Sequence, residues 1–259
     1  MANEKIFVDE RKQLIVELLN KEMKKTVADL CDHFSVSPAT MRSDLRELET
    51  IGLLKRTHGG AISNKKMIYE PNSYEKEIEN IDMKKQIASK AIDYVQDDDV
   101  IILDTGSTTY ELAKLLPTKK NLTVITYDFK IANYLDENSD AIVIFLGGQL
   151  RRHFHCVIGP LAISSIKDLN ADRAFLGANG ISVSKGLSTP NLELATIKKE
   201  IIRISDEVIV LCDSTKFGKS SFAKFSEVLE CDLIITDEML GNESISKFAD
   251  AGVDLEVSK

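Results

Sequence analysis

A chain of 259 residues is long enough for one large domain with a sizeable core and a second, small one. Hydrophobic residues at 43% and charged residues at 29% suit a soluble globular protein. No run approaches the roughly 18 apolar residues of a membrane span, and the start MANEKIFVDERKQ lacks a secretory apolar stretch, so a cytoplasmic protein without membrane contact is expected. The formal net charge of −8 argues against a nucleic-acid binder until it is divided along the chain. Residues 1–66 carry 12 Lys/Arg against 10 Asp/Glu, whereas the rest carries 21 against 31. A mildly basic head on an acidic body restricts any DNA contact to one end.

In chain order, a first helix is expected from about Asp9 to Asn20, with Ile15, Leu18 and Leu19 on one face. Thr26 reads as the N-cap of a second helix that packs Val27, Leu30 and Phe34 inward. A tight Ser35-Val36-Ser37 turn follows, with Ser37 capping a third helix and Pro38 in its first turn, where a missing N–H costs nothing. Met41, Leu45 and Leu48 form the buried stripe of that helix, which leaves Ala39, Thr40, Arg42, Ser43 and Arg46 outward. Ile51-Gly52-Leu53-Leu54 is expected to close the small core, and Lys55, Arg56, Thr57 and His58 to form a basic wing before Gly59-Gly60. This pattern is a helix-turn-helix that offers one helix to the DNA major groove and a wing to the adjacent backbone. Thr26, Ser37, Ala39, Thr40, Arg42, Ser43, Arg46, Arg56 and His58 are its candidate contacts with double-stranded DNA. The bland alternative is a helical hairpin with a solvated charged face, but turn, cap, stripe and wing agree with one another.

Residues 61–80 are polar and poorly periodic, as a linker would be. The expected organisation is therefore a DNA-binding domain over 1–62, a linker over 63–80 and an α/β domain over 81–259. In the last, helix and strand alternate: a helix over Lys84–Val95, a strand at Val100–Leu103, a helix over Thr108–Leu116, a strand at Leu122–Thr126, a helix over Asp128–Leu135 and a buried strand over Ala141–Leu146. Further strands are expected at Arg173–Gly177, Val208–Cys212 and Leu233–Thr236, with a strongly amphipathic helix over Leu192–Ile204. Such alternation predicts a mostly parallel sheet covered on both faces.

The chemistry of this second domain is expected at strand ends, where open α/β sheets bind ligands. Asp104-Thr105-Gly106-Ser107-Thr108-Thr109 lies between an apolar strand and a helix. Its hydroxyls and helix N–H groups suit an anion such as phosphate, and Asp104 suits sugar hydroxyls. It is not a Walker A loop, because the GKS/T ending is missing. Thr126-Tyr127, Gly147-Gly148, Arg152, Asp213 and Lys216 are further candidates for the same crevice, Lys216 as a point charge on a phosphate. His153 and His155, two apart on a supposed strand, would share a face while Cys156 pointed away, but no second ligand cluster supports a metal. The four cysteines are far apart and read as free thiols, and no cofactor is implied.

Two sets of residues resemble the DeoR/GlpR family of bacterial transcriptional regulators, and the match covers nearly the whole chain. The first runs from Val36 to Leu45, with Leu48-Glu49, Gly52-Leu53 and Arg56 to Ala61. The second comprises Leu103 to Thr109, Val124-Ile125-Thr126, Leu146-Gly147-Gly148, Ala174 to Gly180 and Asp213 to Gly218. The resemblance implies a winged helix-turn-helix joined to a sensor domain of the sugar-phosphate isomerase fold. It also implies a homodimeric or homotetrameric repressor of a carbohydrate-catabolic operon, relieved by a phosphorylated sugar or related metabolite. The chain departs from the family at Ser43, where a second arginine is usual, and at Tyr127, where asparagine is. Two other readings remain at this point: a sugar-phosphate isomerase with a helical appendage, its base among Asp104, Asp213 and Glu193, and a DNA-binding protein whose second domain only oligomerises.

Overall fold

The computed structural model describes residues 8–51, 53–57, 59–63, 70 and 73–258, which divide into two compact units with a boundary between Tyr69 and Glu70. The first unit comprises α1 (Val8–Glu22), β1 (Lys24–Thr26), α2 (Val27–Phe34), α3 (Pro38–Thr50), β2 (Leu54–Thr57) and β3 (Gly60–Ser63). Ile15, Leu19, Leu30, Phe34, Met41, Leu45, Leu48 and Leu54 make one core. Thr26 and Asp29 cap α2 reciprocally, and Ser37 accepts from the Thr40 N–H with Pro38 at the start of α3. Ser35, in left-handed backbone at φ 52°, turns the chain between the two helices. Asp44 is buried on the inner face of α3 and accepts from Arg11 Nε at 2.7 Å and Nη2 at 3.3 Å, a fork that fixes α3 against α1.

The wing is more than a hairpin, because β3 lies between β1 and β2 in a three-stranded antiparallel sheet. The expected closure of the core by Ile51 to Leu54 is only partly right. Leu54 is buried, whereas Ile51 is 66% and Leu53 39% exposed, since α3 ends at Thr50 and the chain turns outward before β2.

The second unit runs α4 (Ser73–Ile78), α5 (Ile81–Ala91), β4 (Val100–Leu103), α6 (Ser107–Ala113), β5 (Thr123–Thr126), α7 (Phe129–Asn138), β6 (Ile142–Phe145), β7 (Gln149–Arg151) and β8 (Cys156–Ile158). It continues with α8 (Pro160–Ile166), β9 (Ala171–Gly177), β10 (Gly180–Ser182), β11 (Gly186–Thr189), α9 (Leu192–Ile204), β12 (Ser205–Leu211), β13 (Ala223–Ser226), β14 (Leu233–Thr236), α10 (Asn242–Asp250) and β15 (Leu255–Val257). Seven strands form a parallel sheet in the order β15-β14-β12-β9-β4-β5-β6. Both faces are covered, as the alternation of elements requires. Ile102, Ile125, Leu176 and Val210 point to a core shared with α8 and α9, while Ile101, Leu103, Val124, Phe175 and Ile209 point to one shared with α5, α6 and α7.

Three expectations are corrected. The 63–80 stretch is not one linker: Ser63 belongs to β3, and Glu70 with α4 belongs to the second unit. Strand β6 is not buried, because it is the outer strand of the sheet, with Ile142 66%, Ile144 37% and Phe145 42% exposed. His153 and His155 do not share a strand face; both sit at positive φ in the turn between β7 and β8. The small sheet β10-β11-β13 and that hairpin have no clear period in the sequence.

Candidate functional site

In the first unit α3 presents an outward face. Ala39, Arg42, Ser43 and Arg46 are exposed and Thr40 is half-exposed. Arg42 and Arg46, one helical turn apart, take part in no ion pair among the described residues, so both guanidinium groups are available. Ser37 and Thr40 share a hydroxyl–hydroxyl hydrogen bond of 2.9 Å at the helix start. Ser43 and Lys12 both bond the Glu47 carboxylate, Lys12 more strongly, and hold its carboxyl below the usual range. Thr26 is exposed but committed to its cap. Arg56 is less available than the sequence suggests: its N–H and Nε donate to Glu49 at 2.8 and 2.7 Å. His58 lies outside the described residues.

In the second unit a cavity of about 100 Å³ opens at the carboxyl ends of the central strands. Thr105 to Thr109 line it, as do Asp213 and Lys216. Around them stand Arg151, from the arginine pair that follows Gly147-Gly148 in the sequence, and cations that no sequence motif marks: Lys76, Lys84 and Lys198. Lys84 is 4% exposed and donates to the carbonyls of Lys76 and Glu79. Burial pushes its ammonium below the usual range, and Lys216 and Lys76 push in the same direction against Asp213 and Glu79. Lys76 is likewise pushed down by burial and by Lys216 and Arg151, against the pull of Glu70. Lys76, Lys84, Arg151 and Lys216 thus share a single cavity with the carboxylates of Glu70, Glu77, Glu79, Asp128 and Asp213, a mixed lining in which an anion could reach several cations. Thr189 also lines the cavity, and its hydroxyl is buried with no hydrogen-bond partner among the described residues.

Several expected ligand residues do other work. Asp104 is fully buried and does not line the cavity. It accepts from the Tyr127 hydroxyl, the Lys198 ammonium and the Gly177 N–H (2.7 Å), so it organises three strand ends and has little left for a sugar hydroxyl. Tyr127, the departure noted from the family, points into this network, and burial beside Asp104 drives its phenol well above the usual range. Thr126 donates to the Leu103 carbonyl and accepts from the Asp128 N–H, away from the cavity. Gly147, Gly148 and Arg152 are exposed and do not line it either. A Cβ on Gly148 would stand 2.7 Å from the Ile158 carbonyl oxygen, so that glycine serves the close approach to β8. The arginine that reaches the cavity is Arg151. Thr105 donates to Asp128 at 2.6 Å, and Thr109 donates to the Asp104 and Gly106 carbonyls. Ser107, Thr108, Asp213 and Lys216 remain as lining groups, with Lys216 3.7 Å from Asp213. Burial raises the thiols of Cys156, Cys212 and Cys231 to about 12, so none is a ready nucleophile.

A winged helix-turn-helix followed in the chain by a parallel α/β unit with a charged cavity defines a DNA-binding regulator that senses a small molecule. Comparison with known proteins agrees. The profile of the DeoR-like helix-turn-helix domain matches residues 11–67, and that of the DeoR C terminal sensor domain matches residues 79–238, which alone is more than half of the chain. The HTH-type transcriptional regulator GlpR of Haloferax volcanii is 36% identical, over 94% of this chain and 95% of its own length. A putative aga operon transcriptional repressor of Escherichia coli O157:H7 is 32% identical over 95% and 92%, and the transcriptional repressor AccR of Agrobacterium fabrum is 34% identical over 88% and 89%. A D-ribose-5-phosphate isomerase in complex with phospho-erythronic acid superposes with a TM-score of 0.40 at 24% identity, over 53% of this chain and 54% of that one. The chain belongs to the DeoR family of transcriptional regulators. It is a regulator and not an enzyme, and its partners include operator DNA and a small-molecule effector. Among the described residues, no helix is long and apolar enough to cross a membrane.

Proposed function

We propose that the protein is a cytoplasmic repressor of a carbohydrate-catabolic operon, released from its operator by a phosphorylated sugar. The observation that carries this reading is the convergence of Lys76, Lys84, Arg151 and Lys216 on a cavity also lined by Ser107, Thr108 and the unpartnered Thr189 hydroxyl. Cations suit the phosphate and hydroxyls suit the sugar. On the DNA side, Arg42 and Arg46 read base edges or phosphates from the major groove, Ser37 and Thr40 hold the backbone at the helix start, and Lys55 and Arg56 supply the wing. The repressor acts as a homodimer or homotetramer; the unpaired apolar edge of β6, with Ile142, Ile144 and Phe145 exposed, favours joining of two copies there. Effector and operator are then coupled by about 1–3 kcal/mol, several-fold to a hundredfold in operator affinity. A thermal-shift screen with phosphorylated sugars, followed by operator release with the best ligand, tests the proposal. A raised Tm and loss of operator binding are expected; no shift with any sugar phosphate at millimolar concentration rejects it.

A further inference from the structure

The cavity already contains an anion of its own. The Glu70 side chain is 5% exposed; one carboxylate oxygen accepts from Lys76 Nζ at 2.5 Å and the other from Arg151 Nη2 at 2.7 Å. Burial alone would push this carboxyl up, but the two cations outweigh it and hold it below the usual range, so it is charged at neutral pH. The cations are held independently of it. The Arg151 guanidinium stacks 3.6 Å from the centroid of the Phe154 ring, and the Lys76 ammonium lies 5.6 Å from the same ring. Glu70 therefore fills a preformed two-cation seat, and it is the first residue of the second unit, directly after the last residue of the DNA-binding unit.

We propose that Glu70 is a resident competitor for the effector's anionic group, a carboxylate seated on Lys76 and Arg151 that an incoming phosphate displaces. The inference rests on the phosphate-binding reading above and adds how binding is communicated. A phosphate dianion brings about twice the charge of one carboxylate and more acceptor oxygens to the same seat. The rest of the segment stays pinned, because Lys84 holds the Lys76 and Glu79 carbonyls and the Ser73 N–H donates to the His153 carbonyl at 2.9 Å. What is released is the Glu70 side chain, at the first residue of the second unit. Ligand loading thus frees Glu70 while α4 remains in place.

The test titrates the full-length protein with inorganic phosphate by calorimetry, as wild type, Glu70→Gln and Lys216→Met. Glu70→Gln is expected to bind phosphate roughly tenfold tighter, because the competing charge-assisted contacts are gone, and Lys216→Met to bind it more weakly than wild type. Equal or weaker binding by Glu70→Gln, with phosphate still bound by wild type, makes Glu70 a mere structural partner and overturns the inference alone. No phosphate binding by wild type and Glu70→Gln alike overturns the phosphate-binding reading and this inference with it. Should Glu70→Gln not fold, hydrogen exchange on the wild type decides. Saturating phosphate is expected to speed exchange of the peptide around Glu70 while Ser73 to Ile78 stays protected, and unchanged or slower exchange at Glu70 overturns the proposal.

Discussion

The carboxyl group of Asp128 sits at the cavity edge with a charge that its surroundings do not favour. Burial lifts it from 3.8 to about 6, although Thr105, the Ile131 and Lys130 N–H groups and His155 all pull downward. A carboxyl whose folded value is raised binds its proton more tightly in the folded state. The associated stability is fully present below about pH 4 and is lost as pH rises through about 6. The rise from 3.8 to about 6 corresponds to about 3 kcal/mol as an upper figure. Asp128→Asn keeps an acceptor for the cap of α7 and carries no charge, so it is expected to stabilise the protein at pH 7.5 by up to about that amount, with the advantage vanishing near pH 4. Urea denaturation of both proteins across this range isolates position 128, since the other carboxylates titrate in each. In the buried pair Lys198–Asp104 each charge has its partner. Lys198→Met leaves a fully buried carboxylate uncompensated and is expected to cost about 3–5 kcal/mol, whereas Asp104→Asn in the same chain recovers much of it. Additive losses among Lys198→Met, Asp104→Asn alone and the double variant, measured by denaturant midpoint, would show that the two side chains do not interact.

Helices carry both what the sequence reveals and what it conceals. The stripe Met41, Leu45, Leu48 and the cap at Ser37 are legible because period and capping chemistry are local, and α3 follows them closely. In α5 and α9 the same periodicity holds a subtler clue. Lys84 precedes Ile87, Ala88 and Ala91 at spacings of three, four and seven, and Lys198 stands four after Leu194 and three before Ile201. A lysine inside an apolar stripe must find an acceptor in the core, and both do. The acceptor for Lys198, Asp104, comes from a distant part of the chain, and those for Lys84 are the backbone carbonyls of Lys76 and Glu79 just before its own helix, so no side-chain pattern names them. Asp104 stands out in the sequence for its place at a strand end, which is right, but its role depends on Tyr127, Gly177 and Lys198. Strand β6 reads as buried because Ile-Val-Ile-Phe is apolar throughout, and only sheet order reveals an edge. For α3 the cap and the exposed arginine have distinct expected effects. Ser37→Ala is expected to lower stability by about 1 kcal/mol through loss of the cap. Arg42→Ala should leave stability within about 0.5 kcal/mol and weaken specific operator binding by about 1–3 kcal/mol, relaxing selectivity at one base position. Denaturation and a gel-shift series on single-base operator variants separate the two.

At the scale of the molecule, charge is divided as function is. The 12 cations and 10 anions of residues 1–66 leave the head only slightly basic, and the rest of the chain has 31 anions against 21 cations. Within the head the carboxylates of Asp44, Glu47 and Glu49 are engaged by Arg11, Lys12 and Arg56, so Arg42, Arg46 and Lys55 provide positive charge not paired within the described residues. Non-specific attraction is therefore weak and depends on few contacts, which makes each one visible in the salt dependence of operator binding. Each phosphate neutralised contributes about −0.9 to the slope of log K against log salt. Lys55→Gln removes a wing cation that has no base to read, so affinity is expected to fall by a similar factor on every operator sequence, unlike Arg42→Ala. The slope is expected to become shallower by about 0.9 if one head binds and by about 1.8 if two heads of a dimer bind together. Fluorescence anisotropy from low to moderate salt measures this directly. An unchanged slope would remove Lys55 from the DNA interface, and a change near 0.9 would leave a single head on the operator and overturn the dimeric assembly proposed for it.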